Sequence, residues 1–119
     1  MIVAGFGFRT GATLYALQDA LERAGGPEGV THLATVATKA EELQVLGKVL
    51  ALPVVALDME ALRGVWTPTR SDRVAALFGT GSLAEAAALA AAGKGARLRG
   101  LRAVSADGMA TAAIAEDMG

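Results

Sequence analysis

The segment Gly5-Phe6-Gly7-Phe8-Arg9-Thr10-Gly11-Ala12-Thr13 sets three glycines, two threonines and one arginine directly after the apolar run Met1-Ile2-Val3-Ala4. Glycines let backbone N–H groups come close to an anion, and a neighbouring guanidinium suits a carboxylate or phosphate. Neither nucleotide loop fits. The dinucleotide fingerprint needs G-x-G-x-x-G and an acid at the end of the second strand. Here the glycines read G-x-G-x-x-x-G, and the second apolar run ends in Thr38-Lys39. No Gly-Lys-Ser/Thr follows, so the phosphate-loop pattern is missing too. The expectation that remains is a general anion site: Gly7, Arg9 and Gly11, with Thr13 capping a helix whose free N–H groups face the same ligand. Ligands of open α/β sheets bind beyond the carboxyl ends of the strands. Thr38 and Lys39 are therefore expected on the same rim, with a further helix start at Gly81 and Ser82 as a third anion-binding group.

Other polar residues have readings with less chemistry. Ser82 and Glu85 have capping-box spacing, which explains both without an acid–base pair. Asp58 follows a third apolar run and suits an N-cap. His32 opens the second run, on the opposite rim, and is read as structural. Trp66 with Arg70 offers either a flat stacking surface for a planar ligand or a loop residue folded onto the core. The chain has no cysteine and a single histidine, which excludes thiol nucleophiles, cysteine-ligated zinc and histidine metal clusters. No metal and no cofactor are expected.

The elements that must position these residues follow from periodicity. Ile2–Phe6 reads as a buried strand, and Leu14, Leu17, Ala20, Leu21 and Ala24 recur at helical spacing. A second strand spans Val30–Val36, a helix runs from about Glu41 to Leu50, and Val54–Leu57 reads as a central parallel strand. Asp58 starts a short helix through Leu62. Residues 63–70 form the least regular stretch, the loop best suited to move or bind. Helices follow from Ser71 to Phe78 and from Ser82 to Gly93. Leu98–Val104 and Met109–Ala115 then flank Ser105-Ala106-Asp107-Gly108, a turn that makes a terminal hairpin. The pattern predicts one α/β domain over residues 1–119: a three-layer α/β/α arrangement on a mostly parallel sheet, with a C-terminal antiparallel hairpin strand. A hydrophobic share of 53% with 4% aromatics suits helices packed on a sheet. A net charge of −1 gives no footprint for nucleic acid or an anionic membrane. No apolar run approaches the ~18 residues of a spanning helix, and a soluble cytoplasmic protein is expected.

Taken in order, Gly5-Phe6-Gly7-Phe8-Arg9-Thr10-Gly11, Ala34-Thr35-Val36-Ala37-Thr38-Lys39, Leu52-Pro53 and Gly79-Thr80-Gly81-Ser82-Leu83-Ala84-Glu85 resemble the CobE family. That family is similar to the C-terminal domain of CbiG proteins of cobalamin (vitamin B12) biosynthesis. Where the family commonly reads G-x-G-C-R-x-G, Phe8 replaces the cysteine. The resemblance covers essentially the whole chain and implies a three-layer domain acting in corrin-ring assembly, in the stand-alone form. Its ligand would be a precorrin or related tetrapyrrole, a flexible macrocycle ringed by carboxylates, which needs several spaced cations and an apolar surface. The expected role is to bind or carry such an intermediate, in company with other cobalamin-pathway enzymes. One alternative is a small hydrolase of a macrocycle lactone or acyl group, with Arg9 or Lys39 stabilising an oxyanion and Asp58 or Glu85 as base. Another is a structural partner of a pathway methyltransferase.

Overall fold

The computed structural model describes residues 1–117 of the chain. Strand β1 (Ile2–Phe8) leads into helix α1 (Leu14–Ala24). The Thr13 hydroxyl accepts from the Ala16 N–H at 3.1 Å, and Gly25 ends the helix at φ 109°, a conformation glycine adopts freely. Strand β2 (His32–Val36) passes through a 3-10 turn at Ala37–Lys39 into α2 (Ala40–Leu50), whose first turn carries Glu41 and Glu42 at its positive end. Strand β3 (Val54–Leu57) is followed by α3 (Met59–Leu62), α4 (Asp72–Phe78) and α5 (Leu83–Ala92). Strands β4 (Arg97–Leu98), β5 (Ala103–Val104) and β6 (Ala110–Glu116) complete the chain.

The sheet has the order β3-β2-β1-β6-β4, with β5 also on β6. β1, β2 and β3 pair in parallel, whereas β6 pairs antiparallel with β1, β4 and β5. The sheet is therefore mixed, which corrects the expectation of a mostly parallel one. A parallel neighbour needs a crossover of a dozen or more residues, and the turn between β5 and β6 is too short to supply it. The Ser105 N–H closes that turn on the Ala110 carbonyl at 2.8 Å, and β6 must run back against β5. β6 then pairs with all of β1, from Ile2 opposite Glu116 to Phe8 opposite Ala110. β3 pairs only with β2 and so lies at the edge, not at the centre where its apolar run suggested.

Alternation along β1 divides the core between the two faces of the sheet. Ala4, Phe6 and Phe8 pack with Leu17 and Leu21 of α1, and Leu43 and Leu46 of α2. Val3 packs with Ala87 and Ala88 of α5, Leu62 and Ala115. The approach of α5 is close enough that a Cβ on Gly5 would overlap the Ala84 carbonyl oxygen and lie 2.5 Å from the Ala88 nitrogen. Gly5 is thus required by helix-on-strand packing. Among the described residues, no helix is long and apolar enough to cross a membrane.

Candidate functional site

A cleft of about 700 Å³ opens where β1 ends and β6 begins, bounded by residues 7–10, α4, β5 and the turn at 108–111. That volume is in the ordinary range for small-molecule sites. Arg9, Lys39, Arg73 and Arg102 line it, and no aspartate or glutamate does. Among the described residues none of these four cations forms an ion pair. Between them lie Phe8, Leu77, Phe78, Leu83 and Met109. Unneutralised charges of one sign beside apolar walls concentrate anions in a cleft and favour those with an apolar body.

Each cation is placed by a different part of the chain. Parallel pairing of β1 with β2 brings their carboxyl ends together, and the Thr35 hydroxyl reinforces it by donating to the Phe6 carbonyl at 2.9 Å. Lys39, at the end of the 3-10 turn after β2, donates from Nζ to the Phe8 carbonyl at 2.8 Å and lies 5.0 Å from the Phe8 ring centroid. The Arg9 N–H donates to the Met109 carbonyl at 2.9 Å, while its carbonyl accepts from the Ala12 N–H, leaving an exposed guanidinium. Arg73 sits in the first turn of α4, which the Ser71 hydroxyl caps by accepting from the Val74 N–H. Arg102 precedes β5, and its N–H donates to Glu85 Oε2 at 2.8 Å.

The cleft thus gathers Gly7, Arg9 and Lys39, while Gly11, Thr13, Thr38, Gly81 and Ser82 lie outside its lining. Gly11 makes a turn at φ 88°, and Thr13 caps α1. Ser82 is fully buried, its hydroxyl accepting from the Glu85 N–H at 3.3 Å, and Gly81 is covered by Thr67 and Thr69. The Glu85 carboxylate turns away from the cap and accepts from the Thr69 N–H at 2.9 Å and the Thr69 hydroxyl at 2.8 Å, besides Arg102. The anion at the start of α5 is the protein's own. Asp58 occupies its N-cap position without a side-chain cap bond. The Nδ1 of His32 is 2.7 Å from the Thr31 hydroxyl, away from the cleft. Trp66 is 71% exposed, and among the described residues no cation–π contact joins it to Arg70. No group of three potential metal-binding side chains occurs among the described residues.

Sequence reasoning missed Arg73 and Arg102. The one available signal was Arg97-Leu98-Arg99-Gly100-Leu101-Arg102, three arginines in six residues. Two of them are occupied: Arg97 and Arg99 both pair with Glu116, at 3.7 and 3.1 Å, leaving Arg102 for the cleft.

Fold and cleft together define a small α/β domain with four cations and no carboxylate lining a cleft at one end of its sheet. The family model described as cobalamin synthesis G C-terminus matches residues 2–115. The chain belongs to that family and with it to the proteins of cobalamin biosynthesis. It resembles the solved structure of CobE, a protein from the cobalamin biosynthetic pathway, at 32% identity and a TM-score of 0.81, over 97% of this chain and 89% of that one. It is similar to the cobalamin biosynthesis protein chiG from Agrobacterium tumefaciens at 36% identity and a TM-score of 0.71, over 100% of both chains. The fold also recurs in a cobalamin biosynthesis protein G homologue from Sulfolobus solfataricus, at 20% identity and a TM-score of 0.71 over 98% of this chain and 36% of the other. Among curated proteins no match to the chain is found.

Proposed function

We propose that this protein binds a carboxylate-rich precorrin, or a related tetrapyrrole, in the cleft at the end of β1, and carries or shelters it between pathway steps. The observation that carries this reading is the lining: four cations, no carboxylate and an apolar floor. A contact with one exposed charge contributes about 0.2–1 kcal/mol. Four such contacts are too weak to hold a ligand alone, and burial of ring surface at about 25 cal/mol per Å² supplies the remainder. Hydrolysis would need a base facing the ligand. Asp58 and Glu85, the carboxylates considered for that role, line no part of the cleft, and both oxygens of Glu85 are occupied.

The test is anaerobic incubation with a mixture of precorrin intermediates, followed by gel filtration with visible absorbance. Pigment that co-elutes unchanged at near-equal stoichiometry is the expected result. Altered, released pigment would replace the carrier with an enzyme, and protein eluting colourless would overturn the reading.

A further inference from the structure

Glu85 is a carboxylate with no solvent exposure and, among the described residues, no ion-pair partner. A buried charge is tolerated only when donors fill its lone pairs. Here three do: the Thr69 N–H on Oε1, and the Thr69 hydroxyl and Arg102 N–H on Oε2. Its place in the first turn of α5 adds the favourable helix end.

Those donors belong to the two segments that build the walls of the cleft. From Thr69 the chain runs through the Ser71 cap into α4, the helix of Arg73, Leu77 and Phe78. No residue of α4 is fully buried; only Val74 and Phe78 pack, partly buried, against the core, so how the ends of the helix are held also sets its position. Arg102 lies in the break between β4 and β5, where the edge strand leaves its ladder with β6. Its N–H finds its acceptor in Glu85 instead.

We infer that the Glu85 carboxylate is the positioning residue of the cleft, a single buried anion that holds the α4 wall and Arg102 together and so sets where Arg73 and Arg102 meet an anionic ligand. The ligand half of this inference rests on the cleft being the binding site. The donor pattern explains why the residue is an acid. A glutamine has one acceptor oxygen and two N–H donors. In either orientation its amide N–H group faces a backbone N–H, of Thr69 or of Arg102, that then has no acceptor.

The experiment uses Glu85→Gln in the full chain, well below its unfolding midpoint. Amide hydrogen exchange is followed by NMR, and binding of uroporphyrin, an air-stable tetrapyrrole polycarboxylate, by fluorescence. The expected result is exchange at Thr69, Arg102 and the α4 amides at least about tenfold faster, with β1 and β6 still protected. Uroporphyrin affinity should fall about five- to twentyfold. In an Arg102→Ala background the same Gln substitution should cost clearly less, because coupled residues are not additive. A role in stability alone would give equal losses in both backgrounds, which overturns the inference, as does unchanged exchange at Thr69 and Arg102. Wild-type protein that takes up no uroporphyrin would sink the cleft reading together with the ligand half of the inference. Uptake identical in wild type and Glu85→Gln would sink this inference alone. Should the Gln chain not fold, Thr69→Val, which removes one of the three donors, is read in the same way with a smaller loosening expected.

Discussion

Lys39 holds the end of β1 as well as lining the cleft: its Nζ is 2.8 Å from the Phe8 carbonyl oxygen and 5.0 Å from the centre of the Phe8 ring. One of its three N–H donors is spent on the strand, and two are left for a ligand. Lys39→Ala should therefore reduce tetrapyrrole affinity and also lower stability by about 0.5–1.5 kcal/mol, the net worth of a hydrogen bond. Parallel binding and urea-unfolding measurements check both. A change in one quantity alone would show that the ammonium serves only the strand or only the ligand.

Arg9 and Arg73 have no such second duty, since neither side chain has a hydrogen-bond or ion-pair partner among the described residues. Arg9→Ala and Arg73→Ala should each weaken uroporphyrin binding about two- to fivefold with the thermal midpoint nearly unmoved. The double variant should also show a shallower loss of affinity as salt is raised, because fewer screened charges remain. An unchanged salt dependence would remove both from the binding surface.

Gly5→Ala tests the packing of α5 against β1. The added Cβ meets the Ala84 carbonyl and the Ala88 nitrogen, backbone atoms of a helix that cannot yield as a flexible side chain would. A loss of about 3 kcal/mol, the upper end for overpacking, is expected in chemical unfolding. A loss below about 1 kcal/mol would mean that the helix moves freely on the sheet.

Ser82→Ala removes the cap of α5 and should cost about 1 kcal/mol of stability. Because Ser82 is fully buried and outside the cleft lining, tetrapyrrole affinity should hold. A large loss of binding at normal stability would return the α5 start to the ligand site.

The hairpin turn gives a pH dependence. The Ala106 N–H donates to Asp19 at 2.7 Å and, with Arg23, holds that carboxyl below its ordinary value of 3.8. The Ser105 hydroxyl and the Met109 N–H do the same for Asp107. Folded values below the unfolded ones mean that this stability is present above the ordinary carboxylate range and is lost as pH falls through the folded values. Denaturant midpoints should therefore drop as pH falls below the ordinary carboxylate value of 3.8, and Asp19→Asn should flatten that drop. An equal slope in the variant would place the acid sensitivity elsewhere.

What the sequence by itself determined is local. Thr13, Ser71 and Ser82 are the caps their spacing announces, with hydroxyls on the N–H groups three residues on, because capping is decided within one turn. The buried strand at Ile2–Phe6, the apolar face of α1 and the Ser105–Gly108 turn were legible for the same reason. Gly5 was read within the strand and Gly7 as loop chemistry, because a glycine pattern shows that a side chain is missing but not what fills its space. In the structure the space beside Gly5 is filled by α5, nearly 80 residues later in the chain, and that beside Gly7 by the Thr111 hydroxyl of β6 and Leu83 of α5. Tertiary structure alone decided the lateral order of the strands, since the period of a strand is the same at an edge as at the centre. It sent the Glu85 carboxylate to Thr69 and Arg102 when the spacing pointed to Ser82. It also gathered Arg9, Lys39, Arg73 and Arg102 from four separate segments into one cleft. Periodicity records which face of an element is buried, whereas the parallel pairing of β1 with β2 and the insertion of β6 beside β1 determine which ends of those elements meet.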